Sequence, residues 1–117
     1  MKGSSSGAEV WRVTVNSEGD GETAELAVRG RLGQSGAAEL DSILEGFIAR
    51  GTRHVLLDLA AVDYISSPGL RLLDNRARAL EEQGGALSVR HVTDPVRLAL
   101  DLAGLERLYQ AHASGEP

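Results

Sequence analysis

At 117 residues, 42% of them hydrophobic and 25% charged, the chain is long enough for one domain with a single core and has the makeup of an ordinary soluble protein. Its net charge of −5 argues against duplex nucleic acid, which is held by Lys and Arg contacts to phosphates, and its few aromatics (Trp11, Phe47, Tyr64, Tyr109) argue against a stacking platform for single strands. The absence of cysteine excludes disulfides, thiolate metal sites and cysteine catalysis, and no apolar run approaches the roughly 18 residues of a membrane span.

Residues 1–8 are rich in Gly and Ser and read as a disordered leader; nothing in MKGSSSGAEV forms the apolar core of a secretory signal, so the expected location is the cytoplasm. The domain is expected over 9–110. Val10, Arg12 and Thr14 separate from Trp11, Val13 and Val15 onto two faces, which predicts a strand, and the run from Asn16 to Gly21 predicts a turn. Ala24, Leu26 and Val28 alternate with Glu25, Ala27 and Arg29 in a second strand, paired with the first as a hairpin. From Ser35 the period becomes helical: Ala37, Leu40, Leu44, Phe47 and Ile48 form a stripe with Ile43 at its border, Ser35 as N-cap and Gly51 as the stop. His54 to Leu59 reads as a strand buried on both faces.

A second helix is predicted after Ser67, with Leu70, Leu73, Ala77 and Leu80 on one stripe and Gly84-Gly85 as its end. Ala86 to Val92 follows as a strand, and Asp94-Pro95 opens a third helix, with Asp94 capping and Pro95 at the first helical position. Gly104 ends that helix, Leu105 to Tyr109 reads as a short strand or turn, and 111–117 as a flexible tail. Strand-helix-strand crossovers require parallel neighbours, and the hairpin adds an antiparallel pair. The expected fold is therefore α/β: a small mixed sheet of about four to five strands carrying helices.

The segment from Val55 to Leu80 carries the most chemistry. A strand ends in acidic residues, Ser66-Ser67-Pro68-Gly69 makes a turn, and an amphipathic helix starts at once. Two readings fit Ser67. In the first it is only an N-cap, its oxygen satisfying a free backbone N–H, with Pro68 at the position where a missing N–H costs nothing. In the second the same free N–H groups and the positive helix end accommodate a phosphate on Ser67. That phosphate would add about −1.5 to −2 charges beside Asp58 and Asp63 and change the surface a partner meets.

The pattern Leu57-Asp58-Leu59, Tyr64-Ile65, Ser66, Ser67, Pro68, Gly69, Leu70 resembles the signature of the STAS domain, and within it the anti-sigma factor antagonists. The resemblance runs from about Trp11 to Tyr109 and includes the Gly30-Arg31-Leu32 turn before helix one and the Asp94-Pro95 segment. It implies a mixed sheet with helices packed mainly on one side. It also implies a bacterial regulatory phosphoprotein that binds an anti-sigma factor of the serine-kinase type, is switched off by phosphorylation, and is reset by a serine phosphatase. The acceptor maps onto Ser67, and the partner surface onto Arg31, Gly33, Ser35, Ser66, Ser67, Pro68, Gly69, Arg71 and Leu72. Two features depart from the pattern. Arg31 and Gly33 stand where many phosphorylatable members carry an acidic pair that helps engage the kinase, and Pro68 follows the acceptor in place of a smaller residue. These departures favour an alternative, a non-phosphorylated STAS scaffold or interaction subunit of a transporter or sensory complex.

No enzyme is expected. Asp58 and Asp63 have no companion base, nucleophile or metal ligand at a convincing spacing. His54, His91 and His112 lack metal-type spacing, and the glycines lack the Gly-Lys-Ser/Thr ending of a phosphate loop, so no metal or cofactor is implied. Arg71, Arg76 and Arg78 make helix two basic on its exposed side, and Leu72 and Ala79 fall beside its main stripe, where partner contact and a broad core stripe are both open readings.

Overall fold

The computed structural model describes residues 7–18 and 21–114. Eight elements follow in chain order: β1 (Glu9–Glu18), β2 (Gly21–Leu32), α1 (Gln34–Ala49), β3 (Thr52–Ile65), α2 (Ser67–Glu82), β4 (Ala86–Arg90), α3 (Asp94–Leu102) and α4 (Arg107–Ser114). The strands form one mixed sheet in the order β1-β2-β3-β4. The β1–β2 hairpin is antiparallel and the two crossovers produce parallel pairs, as the element order predicts.

The strands are apolar on one face. Ala24, Leu26 and Val28 of β2, Val55, Leu57 and Leu59 of β3, and Leu87 and Val89 of β4 are buried, and they share one core with Leu40 and Leu44 of α1, Leu73, Ala77 and Leu80 of α2, and Val96, Leu100, Leu105 and Leu108. Leu and Val fill the space that a chain poor in aromatics leaves to them. The opposite face is polar. Arg90 pairs with Glu25 there, and His91 Nδ1 lies 3.3 Å from Asp58 Oδ1. β3 is thus buried on one face only, and Leu56 and Asp58 are partly open.

Several boundaries move from their expected places. A bulge between Val10 and Arg12 shifts the register of β1, so Val10 and Val15 both pack on the core while Trp11 and Val13 stay exposed. β2 continues through Gly30-Arg31-Leu32, which is strand and not turn. α1 is capped at Gly33, without a side-chain bond, and Ser35 lies exposed in its first turn. Arg50 caps its end, and Gly51 follows at φ +104°, a left-handed conformation suited to glycine. β4 stops at Arg90 because His91 turns out of the ladder at φ 57°. Thr93 rather than Asp94 precedes α3, its hydroxyl donating to the Val62 carbonyl at 2.7 Å, and Pro95 falls in the second helical position.

The two ends of the chain also differ. Leu105 and Leu108, three apart and both buried, belong to a turn and to helix α4, which carries the chain to Ser114, past the expected start of the tail at Ala111. Tyr109 on this helix donates to Asp101 of α3, and that hydrogen bond, more than burial, pushes the phenol pKa upward. At the N-terminus Ala8, expected in the leader, is a core residue, while residues 1–6 lie outside the described chain.

Candidate functional site

The site forms where β2 and β3 end side by side. Leu32 stands opposite Ile65, and its carbonyl becomes the anchor of the next turn. Ser66 donates to that carbonyl twice, from its backbone N–H at 2.9 Å and from its hydroxyl at 3.1 Å. With φ −99° and ψ 177°, Ser66 is the N-cap of α2, and its Oγ accepts a long 3.4 Å bond from the Gly69 N–H. The capping role read for Ser67 therefore belongs to Ser66. The reason is tertiary: only Ser66 can reach both Leu32 and Gly69.

Ser67 is then the first helical residue. It is exposed, and its hydroxyl makes no hydrogen bond among the described residues. Pro68 occupies the second helical position and is partly buried. Gly69 is buried against Leu32 and Ile65. A different cost follows for each serine. Ser66→Ala is expected to destabilise the domain by about 1–2 kcal/mol through the lost cap and the lost hydroxyl bond to the Leu32 carbonyl, which keeps only its bond from the residue 66 backbone N–H, while Ser67→Ala stays within about 0.5 kcal/mol of the parent. Urea melts of the two variants check this; equal losses would return the cap to Ser67.

Arg31 and Gly33 flank the turn. The Arg31 side chain is exposed and lies with its guanidinium 4.0 Å from the centroid of the Tyr64 ring, a stacked cation held by an aromatic face. On α2, Arg76 bonds Asp41 of α1 at 2.6 Å and Arg78 bonds Asp74 at 3.0 Å. The Asp41 bond raises the Arg76 pKa, against a smaller opposing effect of burial, and ties α2 to α1. Arg71 is exposed and has no carboxylate partner among the described residues. Arg76 is thus neutralised by α1 and Arg78 within α2, and among the described residues the cations near Ser67 without a carboxylate partner are Arg31 and Arg71.

Two expectations are corrected. Leu72 is only 6% exposed and belongs to the core, so it offers little to a partner. Asp58 lies in the middle of β3, where it accepts from the Ala60 N–H at 3.0 Å and faces His91, well away from Ser67; only Asp63, exposed near the strand's end, shares the neighbourhood of the turn. An open groove of about 240 Å³ runs between α1 and α2, lined by Gln34, Ala38, Asp41, Pro68, Arg71 and Asn75 among others. The groove and the Arg31–Tyr64 stack were not legible in the sequence, since each joins residues from separate elements. Among the described residues no group of three His, Asp or Glu side chains gathers as a metal site, and no helix is long and apolar enough to cross a membrane.

This geometry has known counterparts. The family described as "Mlab, STAS domain" matches residues 15–110. The chain belongs to the STAS domain family. Among curated relatives, BtrV of Bordetella bronchiseptica, a candidate anti-sigma factor antagonist, is 30% identical over 89 residues, covering 76% of this chain and 77% of BtrV. The anti-sigma-B factor antagonist of Staphylococcus aureus is 28% identical over 92 residues, covering 79% of this chain and 85% of its own. Among solved structures, the anti-sigma factor antagonist SpoIIAA in its unphosphorylated form superposes with a TM-score of 0.70 at 18% identity, over 84% of this chain and 85% of SpoIIAA. The phosphorylated form of Bacillus SpoIIAA gives 0.64 at 16% identity, over 84% and 88%. The mixed sheet with its helices on one side is the STAS fold.

Proposed function

We propose that this STAS domain is an anti-sigma factor antagonist in the cytoplasm. It binds an anti-sigma factor of the serine-kinase type through the Ser67 turn, the first turns of α2 and the start of α1 at Gly33 and Ser35. Phosphorylation of Ser67 ends the binding, and a serine phosphatase restores it. The domain itself is a binding module and a substrate.

The observation that carries this reading is the division of labour between the two serines. Ser66 holds the turn, so the Ser67 hydroxyl is exposed and owes nothing to the fold. A phosphate there lies beside free helix N–H groups and is tolerated by the domain, while its charge of about −1.5 to −2 alters the docking surface. The names of the curated relatives support the same assignment. Arg31, in place of an acid, favours a second reading, a constitutive STAS interaction subunit of a transporter or sensory complex with Ser67 never modified.

One assay separates the two. The protein is incubated with its candidate serine kinases and ATP, and phosphorylated species are resolved by mass. The expected result is a single phosphate that is absent from Ser67→Ala and retained in Ser66→Ala. Absence of phosphate with every cognate kinase supports the constitutive subunit instead.

A further inference from the structure

The sheet ends on two unequal edges. β4 is five residues long, with α2 and α4 packed against it, whereas β1 presents a ten-residue edge whose outward backbone groups have no partner among the described residues. Native proteins guard such edges with proline, lysine, bulges or very short strands. From Arg12 to Glu18, β1 has none of these, since its bulge lies earlier, between Val10 and Arg12. Val13 on this stretch and Trp11 just before it are each 47% exposed. Arg12 lies over the Trp11 ring at 4.4 Å and has no carboxylate partner among the described residues.

We propose that β1 pairs antiparallel with β1 of a second copy of this chain, about a two-fold axis through Val15 and perpendicular to the sheet. In this register Val15 stands opposite its own copy, Thr14 opposite Asn16, Val13 opposite Ser17 and Arg12 opposite Glu18. The period of two sorts these pairs by face. Val13 and Val15 stand on the side of their β2 partners Leu26 and Ala24, which face the helices, and Arg12, Thr14 and Asn16 stand with Ala27, Glu25 and Thr23 on the open side. On the helix side Val15 thus meets its own copy, flanked by two Val13–Ser17 pairs; on the open side polar meets polar, and Arg12 and Glu18, opposite in charge, stand across from each other twice.

Neighbouring registers lose the charge pairing. Centring on Arg12 sets two guanidinium groups against each other, centring on Val13 draws the bulged Trp11 into the ladder, and centring on Thr14 pairs Val13 with Val15 but leaves Arg12 opposite Asn16 with no opposite charge. The perpendicular axis continues the two sheets into one and keeps the helices of both copies on the same side. Arg12–Glu18 lies beside Gly21–Ala27 of β2, toward the end of the sheet where β3 begins, whereas the Ser67 turn follows the far end of β3. Both Ser67 turns stay open, so the dimer is bivalent toward any partner of that turn. The pairing does not depend on Ser67 being phosphorylated.

Sedimentation equilibrium of the full chain across roughly a hundredfold range of concentration tests this, and a single strand pair predicts a monomer–dimer equilibrium with Kd on the order of micromolar or weaker. Arg12→Glu and Glu18→Arg are each expected to weaken the dimer by about tenfold, because like charges then stand opposite each other twice. The double reversal is expected to restore it to within about twofold of the parent. Circular dichroism verifies that each variant is folded. A monomer at every concentration overturns the proposal, as does a dimer that ignores both single substitutions or is not restored by the double one.

Discussion

Gly69→Ala is expected to lower the stability of the domain by about 2–4 kcal/mol and its melting temperature by roughly 10 °C. Helix propensity alone points the other way, since alanine in a helix is favoured over glycine by about 1 kcal/mol. Contact geometry decides the sign. A Cβ at Gly69 would stand 2.7 Å from the Leu32 carbonyl oxygen and 2.8 Å from Ile65 Cγ1. Neither can yield cheaply, because the carbonyl holds two bonds from Ser66 and Ile65 is buried at the end of β3.

The first turn of α2 must therefore move off Leu32, and the anchors of Ser66 go with it. Gly46 supplies the control, since it lies in α1 with nothing within 4 Å of its Cβ position. Gly46→Ala is expected to raise stability by up to about 1 kcal/mol. Chemical denaturation of both variants checks the pair, and an unaffected Gly69→Ala would show that the close approach at Leu32 does not hold α2. The glycine two places after Ser67 in the family signature thus has a physical meaning: it lets the helix start pack directly on the carbonyl that fixes Ser66, which sets Ser67 at the surface.

The same contact explains what sequence could and could not show. The stripes of α1 and α2 and the alternation of β2 are local, and they place the sheet and its helices correctly. The choice between Ser66 and Ser67 as cap is not local. Two serines before a proline satisfy capping preferences in either register, and the decision is made by Leu32, 34 residues upstream of Ser66. Ser35 lost its expected role to Gly33 because the first backbone bond of α1, from the Ala37 N–H, closes on the Gly33 carbonyl at 2.8 Å. Helix α4 left little signal, since Leu105 precedes it and Leu108 alone does not define a period. Arg31 was singled out as a missing acid, and the structure adds what the cation does, which is to stack on Tyr64 of the neighbouring strand.

Leu72 and Arg71 are adjacent on α2, and both were read as partner contacts from sequence; their substitutions are expected to separate cleanly. Leu72→Ala removes a core side chain at the α1–α2 contact and is expected to cost about 2–4 kcal/mol of stability. Arg71→Ala removes an exposed cation with no carboxylate partner among the described residues and is expected to change stability by less than about 0.5 kcal/mol. Thermal and urea melts measure both. If Arg71 belongs to the docking surface, its substitution weakens partner binding at an unchanged melting temperature, whereas any binding loss in Leu72→Ala follows the fraction unfolded and fades as the sample is cooled toward its most stable temperature. Equal stabilities for the two variants would contradict the burial of Leu72. The distinction matters for any alanine scan of this helix: the apolar side chains that a helical projection offers to a partner already serve the core, and the side chains left for recognition are the polar ones that the core does not use.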